Sequence, residues 1–218
     1  MTRRTRIKIC GLTREADVDA AVTAGADAIG FVLYDKSPRH VSLARAAALA
    51  QRLPPFVTPV GLFVNASDAE VAAASAAIPT LLLQFHGDET PADCTRAGRP
   101  FLRAARVAEG FDLLDFATRY AQAQGLLLDA DVEGYGGGGK VFDWSLVRAE
   151  VQLPVVLSGG LHAENVGQGI RTLRPWAVDV SSGVESAEFP KKGIKDADSI
   201  RRFCDAVREA DARGASNP

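Results

Sequence analysis

Cys10 closes the stretch Arg6-Ile7-Lys8-Ile9-Cys10-Gly11, in which Ile7 and Ile9 fall on one side of a strand and Lys8 and Cys10 on the other. A thiol at a strand end, followed at once by glycine, points into the space beyond the strand. An ammonium on the same face favours thiolate and lowers a cysteine from its usual value of about 8.5, which makes Cys10 a candidate base or nucleophile. The competing reading is a small, buried apolar residue. Asp129 ends the apolar run Gly125-Leu126-Leu127-Leu128. A partly desolvated carboxylate there has a raised pKa and suits a general acid, although an Asp capping a turn explains it as well. Two further stretches suit an anion. Gly159-Gly160 lets backbone N–H groups approach closely, and Ser181-Ser182-Gly183 opens a short helix whose N-terminus favours negative charge; the alternative at each place is an ordinary tight turn.

The elements that must position these residues alternate from end to end. Apolar strand-like runs fall at 7–10, 28–33, 59–64, 81–85, 101–105, 125–129, 155–158 and 177–181. Alanine-rich helical patterns follow at 15–24 (with Thr13 as cap and Gly25 as stop), 43–52, 67–77, 90–97, 113–123, near 144–148, 163–173 and 198–208. Eight β/α units spaced by roughly 25 residues imply a single-domain (β/α)₈ TIM barrel over residues 1–211, with a fraying tail at 212–218. An open doubly wound sheet is the alternative. In a barrel the chemistry collects at the C-terminal strand ends. Here those ends carry Cys10, Arg39 in the loop after the second strand, Asn65, Gln84 with His86, Arg103, Asp129, Ser158 and Asp179. Gln84 and His86 share a face and read as facing a substrate, although His86 could instead orient a loop. Cys10 and Asp129 lie across the mouth from one another. One removes a proton and the other supplies one, which fits isomerisation of a phosphorylated sugar without a redox cofactor. The loop Gly134-Tyr135-Gly136-Gly137-Gly138-Gly139 is flexible enough to fold over a ligand.

Composition narrows the choices. A chain of 218 residues with 47% hydrophobic content and a net charge of −2 has ample core material and no basic surface for nucleic acid. Three scattered cysteines suit a reducing cytoplasm rather than a disulfide framework. The basic start lacks the apolar segment of a signal peptide, and no run approaches a membrane span. His40, His86 and His162 lack metal-ligand spacing, and no Walker or Rossmann fingerprint is present, so neither metal nor cofactor is expected. The expected partner is a small phosphorylated substrate, on a monomer or homodimer.

Ordered motifs carry a resemblance over nearly the whole chain. They are Lys-Ile-Cys-Gly at 8–11, Lys-Ser-Pro-Arg at 36–39, Val-Gly-Leu-Phe-Val-Asn at 60–65, Gln-Phe-His-Gly-Asp-Glu at 84–89 and Leu-Leu-Asp at 127–129. Phe-Asp-Trp at 142–144, Gly-Gly-Leu at 159–161, Val-Asp-Val-Ser-Ser-Gly-Val-Glu at 178–185 and Gly-Ile-Lys-Asp at 193–196 complete them. The chain resembles the phosphoribosylanthranilate isomerases of tryptophan biosynthesis, which are aldose–ketose isomerases. The resemblance implies an Amadori rearrangement with Cys10 as general base and Asp129 as general acid. It also implies that Arg39 binds the anthranilate carboxylate, Asp179 faces the sugar, and Gly160, Ser181, Ser182 and Gly183 bind phosphate. Three features depart from the family pattern: Gly138 replaces a usual Thr, Ser158 replaces a commoner Ala and could contact phosphate, and residues 186–192 make a longer loop. The rival readings are a different phosphosugar isomerase on the same barrel and a ligand-binding barrel without catalysis.

Overall fold

The computed structural model of the chain describes residues 4–130, 143, 144, 147, 151–188 and 192–215. Eight parallel strands close into a barrel in the order β1-β2-β3-β4-β5-β6-β7-β8. They are β1 (Arg6–Cys10), β2 (Ala28–Val32), β3 (Thr58–Phe63), β4 (Leu82–Phe85), β5 (Phe101–Val107), β6 (Gly125–Ala130), β7 (Val155–Leu157) and β8 (Ala177–Val180). The connecting helices are α1 (Glu15–Thr23), α2 (Leu43–Ala50), α3 (Asp68–Ala77), α4 (Pro91–Arg96), α5 (Leu113–Arg119), α6 (Ala163–Leu173) and α7 (Ala197–Ala215). The closed ring excludes the open doubly wound sheet. The glycine-rich loop with Gly138, and most of the helix expected near 144–148, lie outside the described residues.

Local chemistry explains the element ends. Ser42 caps α2 by accepting from the Arg45 N–H. Ser67 with Glu70 and Thr90 with Asp93 form reciprocal capping boxes on α3 and α4, and such caps are typically worth about 1 kcal/mol each. Asp196 accepts from the N–H and hydroxyl of Ser199 at the start of α7. Thr13 does not cap α1 as expected: its hydroxyl donates to the Gly193 carbonyl at 2.8 Å, joining the first and last loops. Helix α5 ends at Arg119 rather than Ala123, and α7 runs on through Ala215.

The period-two alternation of each strand divides the interior. Outward residues such as Ile7, Ile9, Phe31, Phe63, Leu126, Leu128 and Val178 pack against the helices in one continuous core. Inward residues fill the barrel in layers, with Ala104, Leu127, Val156 and Ala177 below and Cys10, Val32, Leu62 and Val64 above.

The alternation corrects one sequence expectation. Arg103 faces the helices and not the mouth. Its guanidinium donates to the Phe85 and Gly87 carbonyls at 2.9 and 3.0 Å and to Glu89 at 3.3 Å, and it lies 4.9 Å from the centre of the Tyr120 ring. Because β5 extends to Val107, the inward residue at its upper end is Arg106, whose register partner on β6 is Asp129. Asn65 likewise serves a loop, where its side-chain oxygen accepts from the Asp88 N–H at 2.7 Å. The Arg103–Glu89 pair is buried on both sides. Replacing Arg103 by Met leaves the Glu89 charge buried with fewer partners, so Arg103→Met should lower the unfolding free energy by about 3–5 kcal/mol. Urea unfolding measures this, and an unchanged midpoint would contradict the structural role.

Candidate active site

The upper end of the barrel is built from inward-pointing strand ends and three loops. Lys8, one inward step below Cys10, places its ammonium 2.9 Å from Asp179 on the neighbouring β8, and both side chains are almost fully buried. The second Asp179 oxygen accepts from the Ser158 hydroxyl at 3.4 Å. That contact, rather than an open phosphate position, is where the structure puts Ser158. Burial works against the Lys8 charge, but Asp179, followed by Cys10, outweighs it, so the Lys8 pKa is raised and the side chain stays an ammonium.

The Cys10 thiol stands within reach of Lys8, and the expectation of a lowered pKa does not hold. Burial is the largest influence and pushes the thiol up. Lys8 and Lys195 pull it down, Asp179 opposes them, and the net direction is upward. Spacing alone detected the ammonium but not the desolvation. Gly30 on β2 supplies the thiol's room, since a Cβ there would lie 2.7 Å from the sulfur. Cys94 and Cys204 are buried elsewhere, on α4 and α7, and burial raises their thiols to about 12 and about 11.

Across the mouth, Asp129 ends β6. One of its oxygens accepts from its neighbour's Ala130 N–H at 2.9 Å, and the other lies 3.2 Å from His86 Nε2. The Gln84 amide sits 3.1 Å from His86 Nδ1, so Gln84, His86 and Asp129 form one buried chain between β4 and β6. Gly159 packs directly on this carboxylate: a Cβ there would come within 2.9 Å of it, and its φ of 81° is in the left-handed region. The side-chain amide of Asn165 donates to the Gly160 carbonyl at 3.0 Å and fixes the turn.

The turn after β8 is a single 3₁₀ turn, Ser182–Val184. Its seat depends on Gly183, because a Cβ at that position would lie 1.9 Å from the Leu161 carbonyl. Without a side chain there, the β8 turn nests on the β7 loop, and Gly159, Gly160, Ser181, Ser182 and Gly183 belong to two adjoining turns. The Ser181 hydroxyl donates to the Cys10 carbonyl at 3.0 Å.

Arg39 reaches this region from the loop after β2. Its Cδ passes over Gly11, leaving 2.6 Å to a hypothetical Cβ there, and Gly11 itself has a φ of 76°. The buried guanidinium donates through Nε and an Nη to the two oxygens of Glu185, at 2.7 and 3.0 Å. Lys195, in the loop before α7, donates to the same carboxylate at 3.3 Å and to the Ser181 carbonyl at 2.9 Å. Glu185 and Lys195 figured in the sequence only as letters within longer motifs. Their role needed the contact between β8 and the last loop, which local patterning does not report.

The structure thus gathers Cys10, Arg39, Asp129, Gln84, His86, Asp179, Gly159, Gly160, Ser181, Ser182 and Gly183 at one end of the barrel, and sends Arg103 and Asn65 elsewhere. No group of His, Cys, Asp and Glu among the described residues has a metal-holding arrangement. No described helix is long and apolar enough to cross a membrane.

Known proteins match this fold over nearly its whole length. The family model described as N-(5'phosphoribosyl)anthranilate (PRA) isomerase matches residues 7–206. A relative from Methylibium petroleiphilum named N-(5'-phosphoribosyl)anthranilate isomerase is 74% identical over 214 residues, covering 98% of this chain and 99% of its own. The crystal structure of phosphoribosyl anthranilate isomerase from Thermotoga maritima superposes with a TM-score of 0.83 at 40% identity, over 94% of this chain and 99% of that one. A crystal structure of such an isomerase in complex with reduced 1-(o-carboxyphenylamino)-1-deoxyribulose 5-phosphate superposes with a TM-score of 0.80 at 38% identity, with the same coverage. With the barrel closed, the strand ends converged and the match running almost from end to end, the chain belongs to the phosphoribosylanthranilate isomerase family of tryptophan biosynthesis.

Proposed function

We propose that this chain catalyses the Amadori rearrangement of N-(5-phosphoribosyl)anthranilate to 1-(2-carboxyphenylamino)-1-deoxyribulose 5-phosphate, with Asp129 as general acid and Cys10 as general base. The observation that carries the residue roles is the placement of two buried proton-transfer groups, a thiol on β1 and a carboxylate on β6, facing one mouth three strands apart through β8 and β7. Asp129 protonates the ribose ring oxygen as the C1–O bond breaks, and the anilino nitrogen lone pair closes a Schiff base. Each of its oxygens has a neighbour, one accepting the Ala130 N–H and the other lying 3.2 Å from His86 Nε2. The thiolate form of Cys10, disfavoured by burial and supported by Lys8, then takes the proton from C2. The electron pair moves to the iminium nitrogen, and the enolamine tautomerises to the ketone.

Binding follows from the same architecture. Arg39 pairs with the anthranilate carboxylate, a planar anion that suits a guanidinium fork. Gly160, Ser181, Ser182 and Gly183, with Gly159, hold the phosphate through backbone N–H groups and the Ser182 hydroxyl, the Ser181 hydroxyl being given to the Cys10 carbonyl. Lys8 is the buried ammonium that stabilises negative charge on Cys10 as it forms, and Asp179 keeps Lys8 charged. Gln84 and His86 line the acid's side of the mouth.

The decay of anthranilate-ring fluorescence, with substrate generated in place, tests the reading. Wild-type turnover is expected, and Cys10→Ser and Asp129→Asn should each lower kcat by about 10²–10⁴ while substrate still binds. Near-normal turnover in either variant would remove that residue from its role. Arg39→Ala should raise KM by about 10–100-fold, the loss expected for a charge-assisted hydrogen-bonded pair, and an unchanged KM would count against carboxylate recognition. Because burial raises the Cys10 thiol while Lys8 holds it down, the pH midpoint for alkylation of Cys10, followed by mass spectrometry, should lie above that of an ordinary thiol and rise further in Lys8→Met. A midpoint that falls in Lys8→Met would reverse the assigned electrostatics.

A further inference from the structure

Glu185 and Lys195 hydrogen-bond to neither the Cys10 nor the Asp129 side chain, yet they join the two binding ends of the mouth. Glu185 grips Arg39 along the Nε–Nη2 edge, so the guanidinium plane is fixed and the Nη1–Nη2 edge is the one left for a ligand. The Lys195 ammonium has three hydrogen-bond donors and three acceptors at 2.9–3.3 Å: the Ser181 carbonyl, the Ser181 hydroxyl and a Glu185 oxygen. Its side chain is fully buried. The Gly193 N–H also donates to Glu185 at 2.8 Å, and the Ser181 hydroxyl passes the connection to the Cys10 carbonyl. One continuous set of bonds therefore runs from the Arg39 fork through Glu185 and Lys195 to the β8 turn and the backbone of Cys10.

The charge of this set is unbalanced. Arg39 and Lys195 are two buried bases on the single Glu185 carboxylate. Burial pulls Lys195 down from the usual lysine range while Glu185 holds it up, and with Lys195 protonated the set carries one positive charge in excess. Burial pushes Glu185 up, but Arg39, Lys195 and the Gly193 N–H together hold it below the usual carboxylate range, so it stays ionised. A buried excess of positive charge is unfavourable by itself and is relieved by an anion arriving at the mouth.

On the reading of the reaction given above, we propose that Glu185 and Lys195 are positioning residues that lock the carboxylate-binding Arg39 and the phosphate-binding turn of Ser181 into one frame. They set the distance between the two anionic ends of the substrate. Lys195 also leaves the frame one positive charge that only an anionic ligand completes. Neither residue touches the reacting carbons.

Steady-state kinetics with inorganic phosphate as a competitive probe tests this. Lys195→Met should raise both KM and the phosphate inhibition constant by about tenfold, the equivalent of about 1.4 kcal/mol each. Glu185→Gln frees Arg39 but leaves Lys195 on the Ser181 turn, so KM should rise by about tenfold while phosphate inhibition changes less than about twofold. A purely structural role predicts a lower melting temperature with KM and phosphate inhibition unchanged in the folded fraction, and that outcome in either variant overturns the proposal. Should Lys195→Met fail to fold, the split between KM and phosphate inhibition in Glu185→Gln decides alone. A wild-type chain that binds phosphate without turnover would overturn the assigned reaction, and phosphate affinity of the two variants by calorimetry would then still test the frame: a loss confined to Lys195→Met supports it, and equal affinities overturn it.

Discussion

The Lys8–Asp179 pair is the interaction on which the upper barrel depends. An isolated charge in such a place costs several kcal/mol in lost hydration, so neither partner is tolerable alone. Together, at 2.9 Å and hydrogen-bonded, they form a neutral unit that still carries a strong local field. That field acts on the Cys10 thiol and offsets part of the upward push of burial, which still prevails. The barrel therefore hosts a hidden thiol next to a hidden ammonium, and the carboxylate that permits the ammonium also limits how far it helps the thiol. Ser158 on the second Asp179 oxygen completes the unit.

A second constraint is closeness of approach. Gly30 leaves space for the Cys10 sulfur, Gly11 lets Arg39 cross the end of β1, and Gly183 lets the β8 turn rest on the Leu161 carbonyl. Each is a place where a side chain would occupy the volume of a group in the site. Their effect is to shrink the mouth until groups from β1, β2, β7 and β8 act on one small ligand. The glycines are thus positional, and only Gly11 among these three also adopts a φ that disfavours other residues.

Most of the fold was legible because each strand is a short apolar run and each helix an alanine-rich one, with Gly, Pro, Ser or Asp at the junctions. Cys10, Asp129, Gln84 and His86 were legible for a related reason: they close strands, and strand ends converge in a barrel. What was not legible has physical causes. Arg103 was misjudged because it shares the outward parity of Phe101 and Ala105, and inward parity falls to Ala104 and Arg106. The Cys10 direction was misjudged because proximity to Lys8 can be counted from spacing while burial cannot. Thr13 looked like a cap but bonds to Gly193, 180 residues away, and the Arg39–Glu185 pair spans 146 residues. Contacts of that range arise only when the ring closes and brings the last loop back to the first.

Ring closure also sorts the site by charge. The arc from β8 through β1 to the loop after β2 carries Lys8, Lys195 and Arg39 against Asp179 and Glu185, an excess of one positive charge. The opposite arc, β4 to β6, carries the Gln84–His86–Asp129 chain and Arg106, whose charge is met by Asp88 at 3.3 Å. In the proposed reaction this pattern favours both anions of the substrate on the positive arc, and the chemistry of the Arg39 fork and of the β8 turn, rather than net charge, decides which anion takes which end. The sugar between them bridges toward the carboxylate on β6. In the proposed reaction, that arrangement turns the ring oxygen toward Asp129 and the C2 hydrogen toward Cys10. On that proposal the asymmetry of charge around the ring contributes to the aligning, and Cys10 and Asp129 stand on either side of the path it defines.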